Sequence, residues 1–103
     1  MRWLWPRRGE ANVRQADLEA MPEQNRRYVI YWRPGCPYCL RLRATLGRSR
    51  RRALWINIWE DPEGAAFVRS VNDGDETVPT VVIDGIPHTN PDPALVKRAL
   101  AAH

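Results

Sequence analysis

The chain has 103 residues, with 16 Lys and Arg, 12 Asp and Glu, two cysteines and a net charge of +4. This length and a hydrophobic content of 44% predict one small globular domain and argue against wholesale disorder, collagen or a coiled coil. No apolar run reaches the roughly 18 residues of a membrane span, the first residues do not resemble a secretory signal, and two cysteines are too few for a disulfide scaffold, so we expect a monomeric, cytoplasmic protein without stable membrane insertion.

Residues 1–25 differ from the rest of the chain, and we expect them to form an N-terminal extension. Within it, the stretch from Ala11 to Met21 has weak helical spacing, and Pro22 should end any helix there. The extension is therefore expected to hold at most one short helix and otherwise to be flexible. Its Trp3-Leu4-Trp5 segment could touch an anionic membrane surface but is too short for stable anchoring.

Alternating strands and helices are predicted after this extension. The stretch Arg27 to Trp32 is rich in β-branched and aromatic residues, which is typical of a buried strand. Pro34-Gly35 ends that strand, and a helix opens with Pro37 at its first position and closes at Gly47. The later elements are predicted as a strand over Ala53–Trp59, a helix capped by Asp61, strands at Val81–Ile83 and Ile86–Thr89 around the Asp84-Gly85 turn, and a last helix capped by Asn90.

The order of elements in residues 26–103 is β-α-β-α-β-β-α. A strand–helix–strand unit joins two parallel strands through a right-handed crossover, and the last two strands form a hairpin. The sequence therefore predicts an α/β fold with a four-stranded mixed sheet and flanking helices. Trp32 and Trp55 lie on predicted strands and are expected in the core, whereas Trp59 ends its strand and is expected to be exposed.

The strongest functional signal is Cys36-Pro37-Tyr38-Cys39 at the first strand-to-helix junction. A C-x-x-C motif in this position indicates a redox pair. Cys36 precedes the helix, whose unpaired N–H groups and dipole stabilise a thiolate, and Arg33 can add a positive charge. Cys36 is therefore predicted to be the attacking nucleophile. Cys39 lies one helical turn further on, and we expect it to be more buried and to resolve the mixed disulfide.

The two cysteines have two alternative interpretations. A zinc site would need two more ligands, and the spacing of His88 and His103 matches no common zinc pattern, so no metal is expected. Two inert structural cysteines are the other alternative, which the strand–helix context disfavours.

The motifs resemble a glutaredoxin-type member of the thioredoxin-like fold. The resemblance covers residues 27–101, about three quarters of the chain, and leaves residues 1–25 outside it. Two features carry it: the C-x-x-C motif, and a T-V-P segment before an apolar strand that ends in a turn. The stretches that are similar to the mycoredoxin group in particular are Tyr38–Leu42, Ala65–Val68, Ser70–Asn72, Thr77–Val81 and Thr89–Pro91.

The resemblance implies that Pro79 is the family's cis-proline and lies beside Cys36, although the residues alone favour an ordinary trans proline. Val78 would then offer its backbone to the peptide-like portion of a thiol substrate. Tyr38 would pack over the substrate thiol, with solvent exposure as the alternative, and Arg33 would contribute to the same site.

The resemblance also bears on which small thiol is used. Glutaredoxins bind glutathione with a glycine pair and an acidic residue, and this chain has Thr89-Asn90-Pro91-Asp92 there. The missing glycine pair favours mycothiol over glutathione as co-substrate. Thr89, Asn90 and Asp92 are implied as polar contacts to the thiol, and Asn90 is equally well explained as a plain helix cap.

The resemblance implies a thiol–disulfide oxidoreductase that frees proteins from mixed disulfides with a low-molecular-weight thiol, without a bound cofactor. Its partners would be oxidised or thiol-modified proteins. One alternative is a dithiol electron donor reduced by thioredoxin reductase, but the Trp-Ser-Gly-Phe segment of such proteins is missing. The other is an iron–sulfur scaffold, which the stiffening effect of Pro37 disfavours.

The excess of arginine does not indicate a nucleic-acid partner. Every cation except Lys97 is arginine, and six arginines lie between Arg41 and Arg52 without an acidic residue. These side chains lack an aromatic platform or a known nucleic-acid-binding motif, so a solvated basic surface is favoured.

Overall fold

The computed structural model describes residues 11–102, with side chains from Val13 onward. Residues 1–10, including the Trp3-Leu4-Trp5 segment, lie outside the described residues. The strands are β1 (Ala11–Asn12), β2 (Tyr28–Trp32), β3 (Leu54–Asn57), β4 (Thr80–Ile83) and β5 (Ile86–Thr89). The α-helices are α1 (Gln15–Glu19), α2 (Pro37–Leu46), α3 (Pro62–Val71) and α4 (Pro93–Ala101), with 3-10 turns at Glu23–Asn25 and Gly47–Arg52.

The strands form one mixed sheet in the order β1-β3-β2-β4-β5. Strands β1, β3 and β2 are parallel, and β4 is antiparallel to both β2 and β5. The predicted four-stranded mixed sheet is confirmed in β3-β2-β4-β5. Strand β1 pairs with β3 and adds a fifth strand at that edge. Strand β1 was not predicted, because its two residues, Ala11 and Asn12, are too few to show the alternation of a strand.

The helices cover both faces of this sheet. Successive side chains of a strand point to opposite faces, so Tyr28 and Tyr31 of β2 lie on different sides. Tyr28 donates its hydroxyl hydrogen bond to the Ala99 carbonyl of α4, and Tyr31 stacks on Phe67 of α3 with 4.9 Å between ring centroids. Helix α2 packs with α4 on the first face, and α1 packs with α3 on the second. Among residues 11–102, no helix is long and apolar enough to cross a membrane.

Residues 11–25 pack against the domain through a buried polar cluster. The backbone N–H of Gln15 donates to Asp61 Oδ2 at 2.6 Å, and the Tyr31 hydroxyl donates to the side-chain oxygen Oε1 of Gln15 at 2.7 Å. We call Gln15, Tyr31 and Asp61 the Gln15 network. Leu18 adds a buried apolar contact from the same short helix. Strand β1 and helix α1 thus join this part of the N-terminal segment to β3 and α3.

One predicted helix cap, Asn90, is wrong, and the other, Asp61, has the predicted position but a different hydrogen bond. The last helix begins at Pro93 and not after Asn90, because Asp92 Oδ1 accepts the Ala94 amide at 3.0 Å. Asn90 instead has a positive φ of 44°, which turns the chain after β5. Asp61 occupies the cap position of α3, but its carboxylate binds the amide of Gln15 and makes no cap hydrogen bond.

The three strand-associated tryptophans lie as predicted. Trp32 and Trp55 are buried in the core, and Trp59 is 64% exposed. The core between the sheet and the α2–α4 pair includes Leu42, Leu46, Val96 and Leu100. It anchors α2 firmly, and α2 carries the C-x-x-C motif at its start.

Candidate functional site

The two cysteines lie where β2 passes into α2, and both are free thiols. Cys36 is the N-cap residue of α2, and its Sγ accepts the backbone N–H of Cys39 at 3.2 Å. Both residues are nearly enclosed, with 2% of Cys36 and 3% of Cys39 exposed. The predicted placement of the motif at a helix start is therefore confirmed. The prediction that Cys39 is the more buried of the two is wrong, because Val78, just before β4, lies against the Cys36 sulfur and both cysteines are enclosed to the same extent.

The local sequence builds this junction. Strand β2 is buried along its whole length and fixes the point at which the chain leaves the sheet. Gly35 then adopts a φ of 76°, a left-handed conformation that side chains other than glycine rarely tolerate. Pro37 starts the helix, where its fixed φ suits the first position and its missing N–H has no partner to lose. The amide of Leu40 closes the first turn by donating to the Cys36 carbonyl at 3.1 Å.

A second loop lies against Cys36. The Val78–Pro79 peptide bond is cis, as the family resemblance implied. The Cys36 thiol donates to the carbonyl oxygen of Val78 across 3.6 Å, a distance suited to sulfur. Antiparallel pairing of Tyr31 with Thr80 explains this approach, because it brings the residues before β4 to the end of β2. We call Cys36, Cys39 and Val78 the thiol site.

The surroundings of Cys39 favour its protonated form. Burial raises the pKa of Cys39 well above its usual range, and its hydrogen bond with Cys36 acts in the same direction. A backbone hydrogen bond at Arg33 and the charge of that arginine oppose the rise, but more weakly. Cys39 is therefore a neutral thiol at neutral pH.

Arg33 and Tyr38 lie at the rim of the thiol site. The Arg33 guanidinium donates to the Pro34 carbonyl at 3.1 Å and lies over the ring of Trp59, 5.5 Å from its centroid. Tyr38 is 56% exposed. Arg33, Tyr38 and Trp59 thus offer cationic and aromatic surface beside two enclosed sulfurs. Trp59 was not among the predicted site residues.

The polar residues after β5 have partners within the protein. The Thr89 hydroxyl donates a short hydrogen bond to Asn72 Oδ1. The backbone N–H of Asn90 donates to the Pro79 carbonyl at 2.8 Å, so Asn90 lies beside the loop that contains the cis bond before Pro79, here called the cis-proline loop. Asp92 caps α4. Of the three predicted ligand contacts, Thr89 and Asp92 therefore have structural hydrogen bonds, and the exposed side chain of Asn90 remains available to a ligand.

Sequence reasoning missed the position of Asn72. This residue follows α3, and its side-chain amide donates to the Val68 carbonyl at 2.9 Å and to Thr80 Oγ1 at 3.1 Å. Asn72 therefore joins α3, β4 and β5 behind the cis-proline loop. The signals in the sequence were its position close before a T-V-P segment and its place in the stretch Ser70–Asn72, which resembles the mycoredoxin group.

No metal-binding cluster of three or more His, Cys, Asp or Glu side chains occurs within the described part of the chain. The two sulfurs and the polar groups around them can nevertheless perform thiol–disulfide exchange. This chemistry needs only an attacking thiolate and a second thiol within reach.

Comparisons with known proteins agree with this chemistry. The glutaredoxin family profile matches residues 28–86. A Mycobacterium tuberculosis protein named "Putative glutaredoxin Rv3198A" is 43% identical over 73 residues, which are 70% of this chain and 87% of that protein. Mycoredoxin 1 of Corynebacterium glutamicum is 41% identical over 64 residues, which are 61% of this chain and 78% of that protein.

Among solved structures, a mutant of the thioredoxin-like protein BC3987 aligns with a TM-score of 0.55 and 21% identity, covering 71% of this chain and 97% of that one. This likeness supports the thioredoxin-like fold. Together with the family profile over more than half of the chain, it leads to one conclusion: the chain belongs to the glutaredoxin family, and it is a thiol–disulfide oxidoreductase.

Proposed function

We propose that the protein releases proteins from mixed disulfides with a low-molecular-weight thiol, with Cys36 as nucleophile and Cys39 as resolving thiol. Mycothiol is the preferred small thiol, and oxidised or thiol-modified proteins of the cytoplasm are the substrates. The observation that carries the proposal is the placement of Cys36 Sγ, which caps α2 and faces the Val78 carbonyl beside Pro79.

The different surroundings of the two cysteines support this order of attack. Cys36 receives the Cys39 N–H at the positive end of the α2 dipole, an arrangement that stabilises a thiolate. Burial holds Cys39 in its neutral form, so it attacks poorly until a disulfide forms next to it. Hydrogen bonding between the two cysteines keeps Cys39 within reach of such a disulfide.

The reaction proceeds by two exchanges. The Cys36 thiolate attacks the small-thiol sulfur of the mixed disulfide, that S–S bond breaks, and the substrate protein leaves as a thiolate that takes up a proton. Cys36 is then joined to the small thiol. A second small thiol attacks this bond to give a small-thiol disulfide and free Cys36. Alternatively, Cys39 attacks Cys36, which releases the small thiol and leaves a Cys36–Cys39 disulfide for later reduction.

Two observations favour mycothiol over glutathione, and the remaining contacts suit either thiol. The chain lacks the glycine pair that accompanies glutathione binding in the family, and it is 41% identical to a protein named mycoredoxin 1. Val78 presents its backbone next to Cys36, where the peptide-like part of the thiol would pair. Arg33 and Tyr38 flank the C-x-x-C motif and Asn90 lies beside Pro79, and we assign to them the polar and aromatic contacts to the remainder of the thiol.

The test uses Cys36→Ser and its matched control Cys39→Ser. Reduction of a protein–mycothiol mixed disulfide should fall by roughly a thousandfold or more in Cys36→Ser, because the attacking sulfur is gone. Cys39→Ser should keep activity with excess mycothiol, since a second small thiol can replace the resolving cysteine. Glutathione in place of mycothiol should give a lower kcat/KM. Retained activity in Cys36→Ser would contradict the proposal, and a preference for glutathione would contradict the choice of thiol.

A further inference from the structure

The side chain of Asn72 makes hydrogen bonds to three separate elements. Its amide nitrogen donates to the Val68 carbonyl of α3 and to the Thr80 hydroxyl of β4, and its oxygen accepts from the Thr89 hydroxyl of β5. One amide group thus uses both its donor and its acceptor capacity. A carboxamide takes no part in thiol–disulfide exchange. Any contribution of Asn72 to the reaction therefore comes from the elements that its hydrogen bonds hold together.

These contacts lead directly to the cis-proline loop. The Thr80 hydroxyl that receives the Asn72 amide donates in turn to the Thr77 carbonyl at 2.7 Å. Thr77 and Thr80 bracket the Val78–Pro79 bond, so this hydrogen bond closes the loop at its base. Thr80 is fully buried, which shields the contact from competing water.

The loop fixes the position of a group that touches Cys36. Val78 lies between the bracketing threonines, and its carbonyl accepts the thiol of Cys36. The backbone from Thr77 to Thr80 cannot shift without changing the distance between the Val78 oxygen and the Cys36 sulfur. It would also move the backbone edge of Val78.

We propose that Asn72 is a positioning residue for the thiol–disulfide reaction, acting through Thr80 to hold the Val78 backbone against Cys36 and in register for the thiol substrate. This inference rests on the proposed function, because it takes Cys36 as the nucleophile and Val78 as the edge that pairs with substrate. Asn72 itself does not touch the reacting sulfur.

The experiment is a double-mutant cycle with Asn72→Ala, Thr80→Val and the double variant. Thr80→Val removes the hydroxyl but keeps the shape of the side chain, and Thr80→Ser restores the hydroxyl. Gln15→Ala is the matched control, because it removes a different hydrogen-bonded side-chain amide, which lies in the Gln15 network. Each variant is assayed for kcat and KM on a protein–mycothiol mixed disulfide.

Alkylation by iodoacetamide, followed by mass spectrometry, separates positioning from unfolding. This small reagent needs the Cys36 sulfur but not the Val78 edge. In the folded protein Cys39 is held as a neutral thiol, which alkylates slowly, so rapid alkylation of Cys39 reports loss of the fold.

A positioning role predicts that Asn72→Ala and Thr80→Val each lower kcat/KM by about tenfold, mainly by raising KM, as expected for losing roughly one hydrogen bond of substrate alignment. Cys36 alkylation should change less than about threefold and Cys39 should stay protected. Thr80→Ser should recover most of the activity, the double variant should be no worse than Asn72→Ala, and Gln15→Ala should match the unaltered protein.

Additive losses in the double variant, or a loss in Gln15→Ala as large as that in Asn72→Ala, would overturn the inference. If Asn72→Ala unfolds, Thr80→Val and Thr80→Ser decide the question, since the contact runs through that hydroxyl. Cys36→Ser in the same assay separates the two proposals. Activity in Cys36→Ser defeats the proposed function, whereas an inactive Cys36→Ser alongside a normal Asn72→Ala and Thr80→Val defeats only the role of Asn72.

Discussion

The thiol site and the Gln15 network both contain buried polar groups next to β2, but their hydrogen bonds differ in length and in the atoms that take part. In the Gln15 network, oxygen acceptors are held at 2.6 Å and 2.7 Å, and Gln15 joins the buried carboxylate of Asp61 to the hydroxyl of Tyr31. In the thiol site, Cys36 makes longer sulfur contacts of 3.2 Å and 3.6 Å. Short hydrogen bonds to oxygen fix a fold, whereas weak hydrogen bonds leave a sulfur able to exchange partners.

The comparison also separates two uses of a helix start. Cys36 caps α2, so a helix N–H group donates to the sulfur that we propose as the nucleophile. Asp61 lies at the start of α3, but its carboxylate binds the first amide of α1. One helix start thus supports chemistry, and the other joins an N-terminal segment to the domain. Changes in the Gln15 network should alter stability, and changes in the thiol site should alter activity.

The largest expected effect on stability comes from Asp61→Ala. This change leaves the Gln15 amide without its acceptor in a buried place, and we expect a loss of about 2–3 kcal/mol in the free energy of unfolding. Asp61→Asn is the control, because its amide oxygen can still accept from Gln15 and should preserve at least half of that energy. Thermal denaturation measures both, and the folded fraction should reduce mixed disulfides within twofold of the normal rate. A lower rate of disulfide reduction at a temperature where Asp61→Ala is folded would contradict the assignment of stability to the Gln15 network and of activity to the thiol site.

Alkaline pH should destabilise the reduced protein. Burial raises the pKa of Cys39 and of Tyr31 above their ordinary values of 9.0 and 10.0, so the folded state keeps protons that the unfolded state loses. Stability is therefore fully present below about pH 9 and falls as pH rises further, by up to about 1.4 kcal/mol per pH unit for each group. Urea unfolding between pH 7 and 10.5 measures this slope, and Cys39→Ser and Tyr31→Phe should each reduce it. Stability that stays level or rises across this range would contradict the prediction.

A smaller loss is expected at neutral pH for Tyr31→Phe. The change keeps the ring that stacks on Phe67 but removes the hydroxyl that donates to Gln15 Oε1. We expect a loss of about 1 kcal/mol in the free energy of unfolding. This is at the lower end of the cost of leaving a buried acceptor without its hydrogen bond, because Tyr31 lines a cavity of about 730 Å³ that can admit water to Gln15 Oε1. Urea unfolding at pH 7 measures the loss. A change in kcat would show that the Gln15 network reaches the thiol site.

The smallest effect is expected for Arg33→Gln. The positive charge of Arg33 lowers the pKa of Cys39 and so opposes the effect of burial. Removing this charge should raise the pKa of Cys39 further and leave less of the proposed resolving thiol ionised. The Cys39-dependent release of the small thiol should slow by about two- to fivefold, an effect that salt should diminish. Single-turnover assays of that step measure it, with the exposed Arg41→Gln as control for a lost surface charge. An equal slowing in Arg41→Gln would assign the effect to net charge.

Much of the fold was predictable because its signals are local. The apolar run of β2, the break at Pro34-Gly35 and the proline after Cys36 are adjacent in the chain, and together they place the C-x-x-C motif at a helix start. The cis bond before Pro79 followed from the family resemblance alone, since the residues by themselves favour a trans bond.

Contacts between distant segments were not predictable. Asp61 and Asn90 both look like helix caps, and only the packed structure shows that Asp61 binds Gln15, 46 residues earlier in the chain, and that Asp92 caps α4 instead. The position of Asn72 is another case, because its partners lie on three elements whose arrangement depends on the completed sheet.

The sequence by itself determined the order of strands and helices, the reactive pair and its place before α2. These follow from backbone preferences and side-chain patterning within a few residues. The tertiary structure alone decided that Val78 faces Cys36, that burial holds Cys39 neutral and that residues 11–25 pack on α3 and β3. The physical reason is that burial and hydrogen bonding between remote residues exist only once the sheet has brought them together.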